Sequence, residues 1–453
     1  MRGSLLLVAA LVASALAEEI GPFQTTPASP VAPDCVRDGS TLQVEPAVAF
    51  GRSVYLAAWS DGSRTPGKES ADIYCSRVEP KTGRSLDPKG IVVCRAAGLQ
   101  ARPTVAFDGT SFLVVWEDLR SEQDFDLYAA RVTEEGKVLE PDGFPIIKRP
   151  SNQAWPAVAF AGGCYVVAWM DARQYPVYGI YFARVSPSGK VLDPEGIPLD
   201  VEDAAKIAKV QPPAKTWLGD KNYWWHDLAS RMAPAIASNG RLVPAADARC
   251  LVVYQREYPF AGSGRPMLAC ALVNPADASV SKPVKVAGGP SPVWAGKTWA
   301  LGGPAWKGGW TPTPLLGAAC LPETPVETKE AGATLDVVAA FGGGYNVGKG
   351  STASFPSAAA FNGKNAIVAM QYAWRKSGKE RAPAFAILLV RVATEGEFRV
   401  LDPKPLVAAS AASPACVNRP ALAAGPDGEC LLAYEEDSTV AKCLLLARII
   451  REK

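Results

Sequence analysis

The chain has 453 residues, of which 48% are hydrophobic and 20% charged, and its formal net charge is +2 with one histidine. A single core rarely grows beyond ~300 residues, so this length predicts several domains or one repeating architecture. This composition excludes a disordered chain. The balanced charge argues against a protein that binds nucleic acid or a membrane surface. With a single histidine, catalysis that depends on histidine is nearly excluded. Forty glycines and 39 prolines favour many turns, and so β-structure.

The N-terminus has the pattern of an export signal. A short basic start is followed by the apolar run Leu5–Ala17, in which Ala15 and Ala17 are the small residues that signal peptidase reads. A bilayer span needs about 20 apolar residues, so this run is too short to be one, and a buried N-terminal helix is the alternative. We predict a signal peptide over residues 1–17, a linker over 18–33, no transmembrane segment, and a secreted or periplasmic protein.

Ten cysteines follow the apolar run, and none of them forms a CxxC pair. An even number of cysteines in an exported chain permits disulfides. The spacing argues against a structural zinc site. We expect several of these thiols to be free and buried, since a core of this size needs no cross-links.

The organising feature is a repeat, seen first as Pro46–Phe50, Pro103–Phe107 and Pro156–Phe160, at spacings of 57 and 53 residues. Each copy continues with a Gly turn and an apolar run that ends in Trp. An acid and an arginine follow the Trp, then a run ending in Arg-Val and a Leu-Asp/Glu-Pro segment. The acid and arginine positions are Asp61 and Arg64, Asp118 and Arg120, and Asp171 and Arg173.

Weaker copies begin at Pro234, Pro356 and Pro420, which gives six recognisable units. Four short runs rich in Val, Tyr, Phe and Trp predict four antiparallel strands in each unit, and sheets repeated at this period stack as propeller blades. We therefore predict an all-β fold, a β-propeller of four-stranded antiparallel blades. Six blades are favoured and seven are possible, because 122 residues separate the fourth and fifth copies.

The two ends of the chain predict how the ring closes. The last unit ends after its third strand, and the segment Val36–Val44 precedes the first full unit. This segment can supply the missing fourth strand and so remove an exposed sheet edge. The domain prediction is one propeller over residues 34–453, with insertions at about 200–233 and 290–350.

The repeat resembles those of exported bacterial propeller proteins of undefined role, and it is distantly similar to TolB-family repeats. The second unit carries the likeness, in Phe107, Trp116, Asp118, Arg120, Asp126 and Tyr128. The resemblance implies a propeller and no particular activity. The sialidase motif Ser-x-Asp-x-Gly-x-Thr-Trp is absent from the sequence.

The repeated acids allow two interpretations. Asp118 and Asp126 could ligate calcium, which prefers carboxylate and carbonyl oxygens. Arg120 could instead clamp one or both carboxylates across the hairpin. An acid that recurs beside an arginine in successive blades favours a stabilising network, formed by Asp61, Arg64, Asp118, Arg120, Asp126, Asp171 and Arg173.

Aromatic residues cluster where the repeat is interrupted. The two stretches contain Trp217, Tyr223, Trp224, Trp225, His226, Trp294, Trp299, Trp306 and Trp310. Loops on a rigid scaffold often carry function, and aromatic rings stack on sugars or anchor protein partners. These residues are our candidates for ligand binding. The alternative is that they pack the insertions onto the ring.

No catalytic constellation is assembled by the sequence. Glu117, Glu257, Glu435 and Glu436 are candidate acids, but no spacing selects a pair, and residues 343–350 only approximate a phosphate-binding loop. We therefore expect no cofactor, no metal and no catalytic residue.

Two hypotheses for function remain. The first is an exported, non-enzymatic propeller that binds a protein or polysaccharide partner through one face and its Trp-rich insertions. The second is a carbohydrate-active hydrolase or lyase with carboxylates at the mouth of the central channel.

Overall fold

The structure is a computed structural model that describes most of the chain. The described residues are 18–20, 22–35, 41–62, 70–174, 178–201, 234–240, 243–256, 267–305, 315–328, 333–336, 357–374, 384–412, 416–439 and 442–453. The candidate signal peptide lies outside them, as do Arg64 and the candidate ligand residues Trp217, Tyr223, Trp224, Trp225, His226, Trp306 and Trp310.

The described residues form short β-strands in six hydrogen-bonded sheets, one of which joins the first and last of the seven blades that we name blades 1 to 7. Three N-terminal strands come first: β1 (Glu18–Ile20), β2 (Phe23–Thr25) and β3 (Ser29–Pro30). Blade 1 holds β4 (Thr41–Phe50), β5 (Tyr55–Gly62), β6 (Ala71–Val78) and β7 (Ile91–Cys94). Blade 2 holds β8 (Gln100–Phe107), β9 (Ser111–Asp118), β10 (Asp126–Thr133) and β11 (Phe144–Ile147). Blade 3 holds β12 (Gln153–Ala161), β13 (Cys164–Asp171), β14 (Gly179–Val185) and β15 (Ile197–Asp200).

The second half of the chain continues the pattern. Blade 4 holds β16 (Ala235–Ser238), β17 (Cys250–Arg256), β18 (Met267–Val273) and β19 (Val284–Val286). Blade 5 holds β20 (Ser291–Trp294), β21 (Trp299–Ala305), β22 (Leu315–Leu321) and β23 (Ala333–Asp336). Blade 6 holds β24 (Ser357–Phe361), β25 (Asn365–Trp374), β26 (Ala384–Ala393) and β27 (Leu406–Ala412). Blade 7 holds β28 (Cys416–Ala424), a 3-10 turn (Pro426–Gly428), β29 (Glu429–Thr439) and β30 (Lys442–Glu452).

The blades form a closed ring. The first strand of each blade contacts the first strands of both neighbouring blades, from β4 through β8, β12, β16, β20, β24 and β28 back to β4. Strands within a blade pair antiparallel. The seven first strands are therefore innermost, and the fold is an all-β propeller.

Apolar side chains are buried between adjacent blades at every junction of the ring. Between blades 1 and 2, for example, Leu56, Ile73, Val114 and Trp116 belong to one core cluster. Equivalent clusters lie between the other neighbouring pairs, including blades 7 and 1. Each sheet thus buries both faces, as the repeat predicted.

The N-terminal strands complete blade 7. Strand β2 pairs antiparallel with residues 450–452 of β30, and β3 pairs with residues 446–447. Phe23, Val31 and Ala32 are almost completely buried. Closure by an N-terminal strand is confirmed: β2 and β3 pair with β30, and Thr41 and Leu42 of the predicted segment also pair with β30, in parallel. The rest of Thr41–Phe50 forms the innermost strand of blade 1. Within the predicted linker at 18–33, residues 18–20, 23–25 and 29–30 are β-strands.

The blade count is seven, so the preference for six is corrected. Blade 5 occupies much of the stretch assigned to an insertion at 290–350. Its second strand contains Gly302, Gly303 and Pro304 in place of the repeat's aromatic and β-branched residues. The strands of this sheet pair through backbone hydrogen bonds, which do not depend on the side-chain pattern. Gly302 packs closely against blade 6, because a Cβ atom added to it would lie only 2.7 Å from a Val368 methyl group.

Among the described residues, no helix is long and apolar enough to cross a bilayer.

Candidate functional site

In blades 1 to 3 the repeated Trp and Asp form buried staples near the end of the second strand. The indoles of Trp59, Trp116 and Trp169 are fully buried. Trp116 Nε1 donates to Asp118 Oδ2 at 2.8 Å, and Trp169 Nε1 donates to Asp171 Oδ2 at 2.8 Å. The Trp59 indole donates to Asp61 in the same way, at 3.1 Å.

The arginines complete these staples in blades 2 and 3. Arg120 donates from Nε to Asp118 Oδ1 at 2.8 Å and from Nη2 to Oδ2 at 2.6 Å, and its guanidinium stacks 3.8 Å from the Tyr128 ring centroid. Arg173 binds Asp171 with the same fork and stacks on Tyr181. Buried bidentate pairs of this kind fix strand ends firmly.

Asp126 is not a partner of Arg120 in the described contacts. Burial raises the pKa of Asp126 to about 6, although Lys148 and the backbone N–H of Arg149 oppose this change. Both oxygens of Asp118 are occupied by Trp116 and Arg120. In the described part of the chain, no group of three His, Cys, Asp or Glu side chains could hold a metal ion. The geometry thus favours the stabilising network over calcium.

A second set of ion pairs recurs at the other end of the ring. The arginine of the Arg-Val run binds the acid of the Leu-Asp/Glu-Pro segment. The pairs are Arg77 with Asp87, Arg131 with Glu140, Arg184 with Asp193, and Arg391 with Asp402. Arg184 also donates to the Pro275 carbonyl of blade 4. These residues tie the third strand to its outer turn and to the next blade.

A different arrangement surrounds the axis, at the end of the ring where the first strands begin. Four first strands carry a register shift at the residue before the repeat proline, in which the chain adds one bulge. Proline has no N–H for the ladder, so a bulge accommodates it. The residues in these bulges are Glu45, Arg102, Trp155 and Arg419.

All four bulge residues have left-handed backbone conformations. Their φ angles are 61° for Glu45, 52° for Arg102, 58° for Trp155 and 43° for Arg419. Glycine adopts this region without cost, whereas other residues cost about 1–3 kcal/mol each. Four non-glycine side chains are therefore held around the axis at an energetic cost.

Carboxylates from neighbouring blades bind the bulge N–H groups. Glu435 Oε1 accepts from the Glu45 N–H at 2.7 Å, and Glu45 Oε2 accepts from the Arg102 N–H at 2.8 Å. Glu117 Oε1 accepts from the Trp155 N–H at 2.7 Å. The three bonds connect blades 7, 1, 2 and 3 in series.

The guanidinium groups cross-link the same acids. Arg419 Nη1 donates to Glu45 Oε1 at 2.9 Å, and Arg102 Nη1 lies 3.7 Å from that oxygen. Arg102 Nε lies 3.5 Å from Glu117 Oε1, and its guanidinium is 3.7 Å from the Trp155 ring centroid. We call these residues the mouth cluster: Glu45, Arg102, Glu117, Trp155, Arg419 and Glu435.

The acids of the mouth cluster have very different proton affinities. Burial raises the pKa of Glu45, but Arg102 and Arg419 outweigh it and hold that pKa at about 2. Burial raises the pKa of Glu117 to about 7, against an opposing effect of Arg102. Burial also raises the pKa of Glu435, which Arg419 opposes. One acid is thus firmly ionised between two guanidiniums, and one holds a proton near neutral pH.

The candidate aromatic residues that the structure describes belong to a blade junction. Trp299 is fully buried between blades 4 and 5, and its indole donates to the Glu323 carbonyl at 3.1 Å. Trp294 is half-buried and contacts the Trp299 ring edge-on at 4.7 Å between centroids. Trp299 therefore packs the core and has no surface for a ligand, which corrects that prediction.

Sequence reasoning named Glu117 and Glu435 but missed the four bulge residues. A signal for them exists in four of the six copies: the residue immediately before the repeat proline is Glu, Arg, Trp or Arg, while the residues after that proline change less. Its variation within a more constant motif marks a position that the blade scaffold does not dictate.

Among the described cysteines, Cys75, Cys94, Cys164, Cys250, Cys270, Cys320 and Cys430 are free thiols, and all of these except Cys320 are buried. Burial raises the pKa of the Cys94 thiol to about 12 and that of Cys164 to about 11. Buried thiols with raised pKa values are chemically inert.

Comparisons with known proteins give fold-level similarity. No protein-family model and no curated protein matches the chain. Among solved structures, it is similar to the hemagglutinin-neuraminidase of parainfluenza virus 5, with 8% identity, 95% of each chain covered and a TM-score of 0.47. It is also similar to Penicillium chrysogenum alpha-L-arabinanase, with 12% identity, 94% of this chain and 98% of that chain covered, and a TM-score of 0.43. It is similar as well to a protein of unknown function from Dyadobacter fermentans, with 9% identity, 94% of this chain and 99% of that chain covered, and a TM-score of 0.43. No residue role is transferred from these structures.

Proposed function

We propose that this protein is an exported, non-enzymatic β-propeller that binds a protein or polysaccharide partner at the end of the ring that carries the mouth cluster. One observation carries the proposal. Glu45, Arg102, Trp155 and Arg419 stand at equivalent positions of a repeating scaffold, differ in chemistry, and adopt backbone conformations that cost energy. Strain retained at chemically diverse side chains is typical of recognition sites.

The use of the acids supports binding over catalysis. Glu117, Glu435 and Glu45 each accept a backbone N–H of a neighbouring blade. The Glu117 side chain is 0% exposed and that of Glu435 is 7% exposed. A general acid must lie within hydrogen-bond reach of the substrate, and these buried groups instead hold the blades together.

The Trp-rich segment between blades 3 and 4 is part of the proposal. Strand β15 ends at Asp200 and β16 begins at Ala235, and antiparallel topology puts both at the same end of the ring as the mouth cluster. The proposal keeps Trp217, Tyr223, Trp224, Trp225 and His226 as predicted ligand residues, together with Trp306 and Trp310.

Export and the resemblance to TolB-type repeats belong to the same proposal. The basic start, the apolar run and the Ala15–Ala17 cleavage pattern support removal of residues 1–17 during export. N-terminal sequencing of the protein secreted by its host would test this, with Glu18 expected as the first residue.

Binding is tested with the immobilised full chain and a panel of polysaccharides and envelope proteins. Trp155→Ala and Arg419→Gln remove two mouth side chains, and Arg84→Gln is the matched control because Arg84 is exposed at the other end of the ring. We expect at least one ligand whose binding weakens tenfold in both mouth variants and not in the control. A ligand bound equally by all four proteins contradicts the proposed site.

A second candidate function is glycoside cleavage, favoured by one observation. Glu45 and Glu117 both contact Arg102, and their pKa values are separated to about 2 and about 7. Carboxyls with divergent pKa values form the acid and base pairs of glycosidases. Turnover of chromogenic glycosides that is abolished by Glu117→Gln would support this candidate, and absence of turnover by the wild-type protein would reject it.

A further inference from the structure

We infer that the mouth cluster recognises a carboxylate group on its ligand and that Arg419 is the residue that binds it. This inference rests on the proposed function and adds the chemical class of the ligand. It is carried by the exposure and unused hydrogen-bonding capacity of Arg419, and by the charge arrangement beneath it.

Arg419 is the most accessible charged residue of the mouth cluster. Its side chain is 41% exposed, whereas those of Glu45 and Arg102 are 16% and 14% exposed. It makes one hydrogen bond, from Nη1 to Glu45, and its Nε lies 3.9 Å from Glu435. A guanidinium has five N–H donors, so Arg419 keeps several donors that have no partner among the described residues.

The charges around Arg419 nearly balance when Glu117 is neutral, because the guanidiniums of Arg419 and Arg102 face the carboxylates of Glu45 and Glu435. Two guanidiniums, Arg419 and Arg102, converge on a single oxygen of Glu45. Glu117 lies below them with 0% exposure, and its Oε2 has no hydrogen-bond partner in the described part of the chain. Burial of this kind favours the neutral carboxyl, so Glu117 offsets little of the arginine charge at or below neutral pH.

The neighbouring acids restrict which anion fits. Glu45 and Glu435 both lie within 4 Å of the Arg419 guanidinium. They would repel a doubly charged phosphate more strongly than the single negative charge of a carboxylate. A carboxylate also matches the planar fork of a guanidinium, with two parallel hydrogen bonds. The site therefore favours a single carboxylate over a phosphate group.

The pH dependence follows from the groups that face Glu117. These are Arg102 on β8, the Trp155 N–H on β12, and the ionised Glu45 on β4, which raises the pKa of Glu117 further. A bound carboxylate adds negative charge and stabilises the protonated form of Glu117. Carboxylate affinity is thus expected to fall as the pH rises through about 7.

The test measures binding of carboxylated probes to the full chain by calorimetry at pH 6. One arm uses an oligogalacturonate and its methyl ester, and a second arm uses a glutamate-rich peptide and its glutamine counterpart, which separates saccharide from peptide sources. We expect an acidic probe to bind at least tenfold more tightly than its neutral counterpart. Arg419→Gln should abolish that preference, and Arg84→Gln should retain it.

Several results would overturn the inference. These are equal binding of acidic and neutral probes by the wild-type protein, retention of the acid preference in Arg419→Gln, or stronger competition by inorganic phosphate than by acetate. The wild-type comparison needs no variant, so it decides the matter even where Arg419→Gln fails to fold. If Trp155→Ala abolishes binding of a panel ligand, but carboxylate groups on that ligand do not affect its affinity, this inference is rejected and the proposed function stands. Loss of no ligand in either mouth variant rejects the proposed function itself.

Discussion

The proton held by Glu117 gives the structure a pH-dependent stability that one substitution removes. In Glu117→Gln, the side-chain oxygen still accepts the Trp155 N–H, but the residue no longer titrates. The buried position, with 0% side-chain exposure, means that solvent screens this effect little. The variant therefore isolates the titration of one carboxyl from the rest of the mouth cluster.

The magnitude follows from the pKa of Glu117 in the two states. Its ordinary value is 4.5, and burial raises it to about 7 in the folded protein. Between these two pH values the folded state binds more protons than the unfolded state, so stability falls as the pH rises. At about 1.4 kcal/mol per pKa unit, the wild-type protein loses about 3 kcal/mol across this interval because of Glu117.

The assay is urea unfolding, followed by tryptophan fluorescence, at intervals between pH 4.5 and pH 8. The stability difference between variant and wild type is expected to shift by about 3 kcal/mol in favour of Glu117→Gln over this range. Other titrating groups act in both proteins and cancel. Glu397→Gln, at an exposed position, should leave the profile unchanged. A difference between Glu117→Gln and wild type that stays constant within about 1 kcal/mol would refute the reasoning.

Three further changes probe the fold and the mouth cluster. Glu45→Gln should cost stability above pH 4.5, and that cost should disappear as the pH falls toward about 2, the folded pKa of Glu45, as measured by acid titration of thermal unfolding. Phe23→Ala should destabilise blade 7 by about 3–5 kcal/mol in urea unfolding, because the ring is 1% exposed, whereas Gln24→Ala in the same strand should cost under about 0.5 kcal/mol. Arg120→Ala should cost about 2–4 kcal/mol in urea unfolding, because it leaves the buried carboxylate of Asp118 with one donor fewer on each oxygen; a change below about 1 kcal/mol would contradict the staple.

The strong copies of the repeat made much of the fold predictable. Trp59, Trp116 and Trp169 lie in second strands, two or three residues before each strand ends. The continuous apolar runs that precede these Trp residues define strands because each sheet buries both faces between blades. Such local patterns carry the information that sequence reasoning can read directly.

Blade 5 and the closing strand could not be predicted in the same way. Strand β21 consists largely of Ala, Gly and Pro after Trp299, so it lacks the run of Val, Tyr and Phe on which the prediction depended. Strand β2 has three residues and is ordered by β30, at the opposite end of the chain. In both cases the neighbouring sheet supplies the order, and no local pattern records it.

The mouth cluster shows the same limit for function. The hydrogen bond between the Glu45 N–H and Glu435 joins residues 390 positions apart, so no spacing could have selected this pair. What the sequence does carry is the residue type before each repeat proline. A position needed only to form a bulge would cost least as glycine, yet these blades place Glu45, Arg102, Trp155 and Arg419 there. The scaffold accounts for the bulge, contacts between blades account for Glu45 and Arg102, and the proposed recognition of a ligand accounts for Trp155 and Arg419.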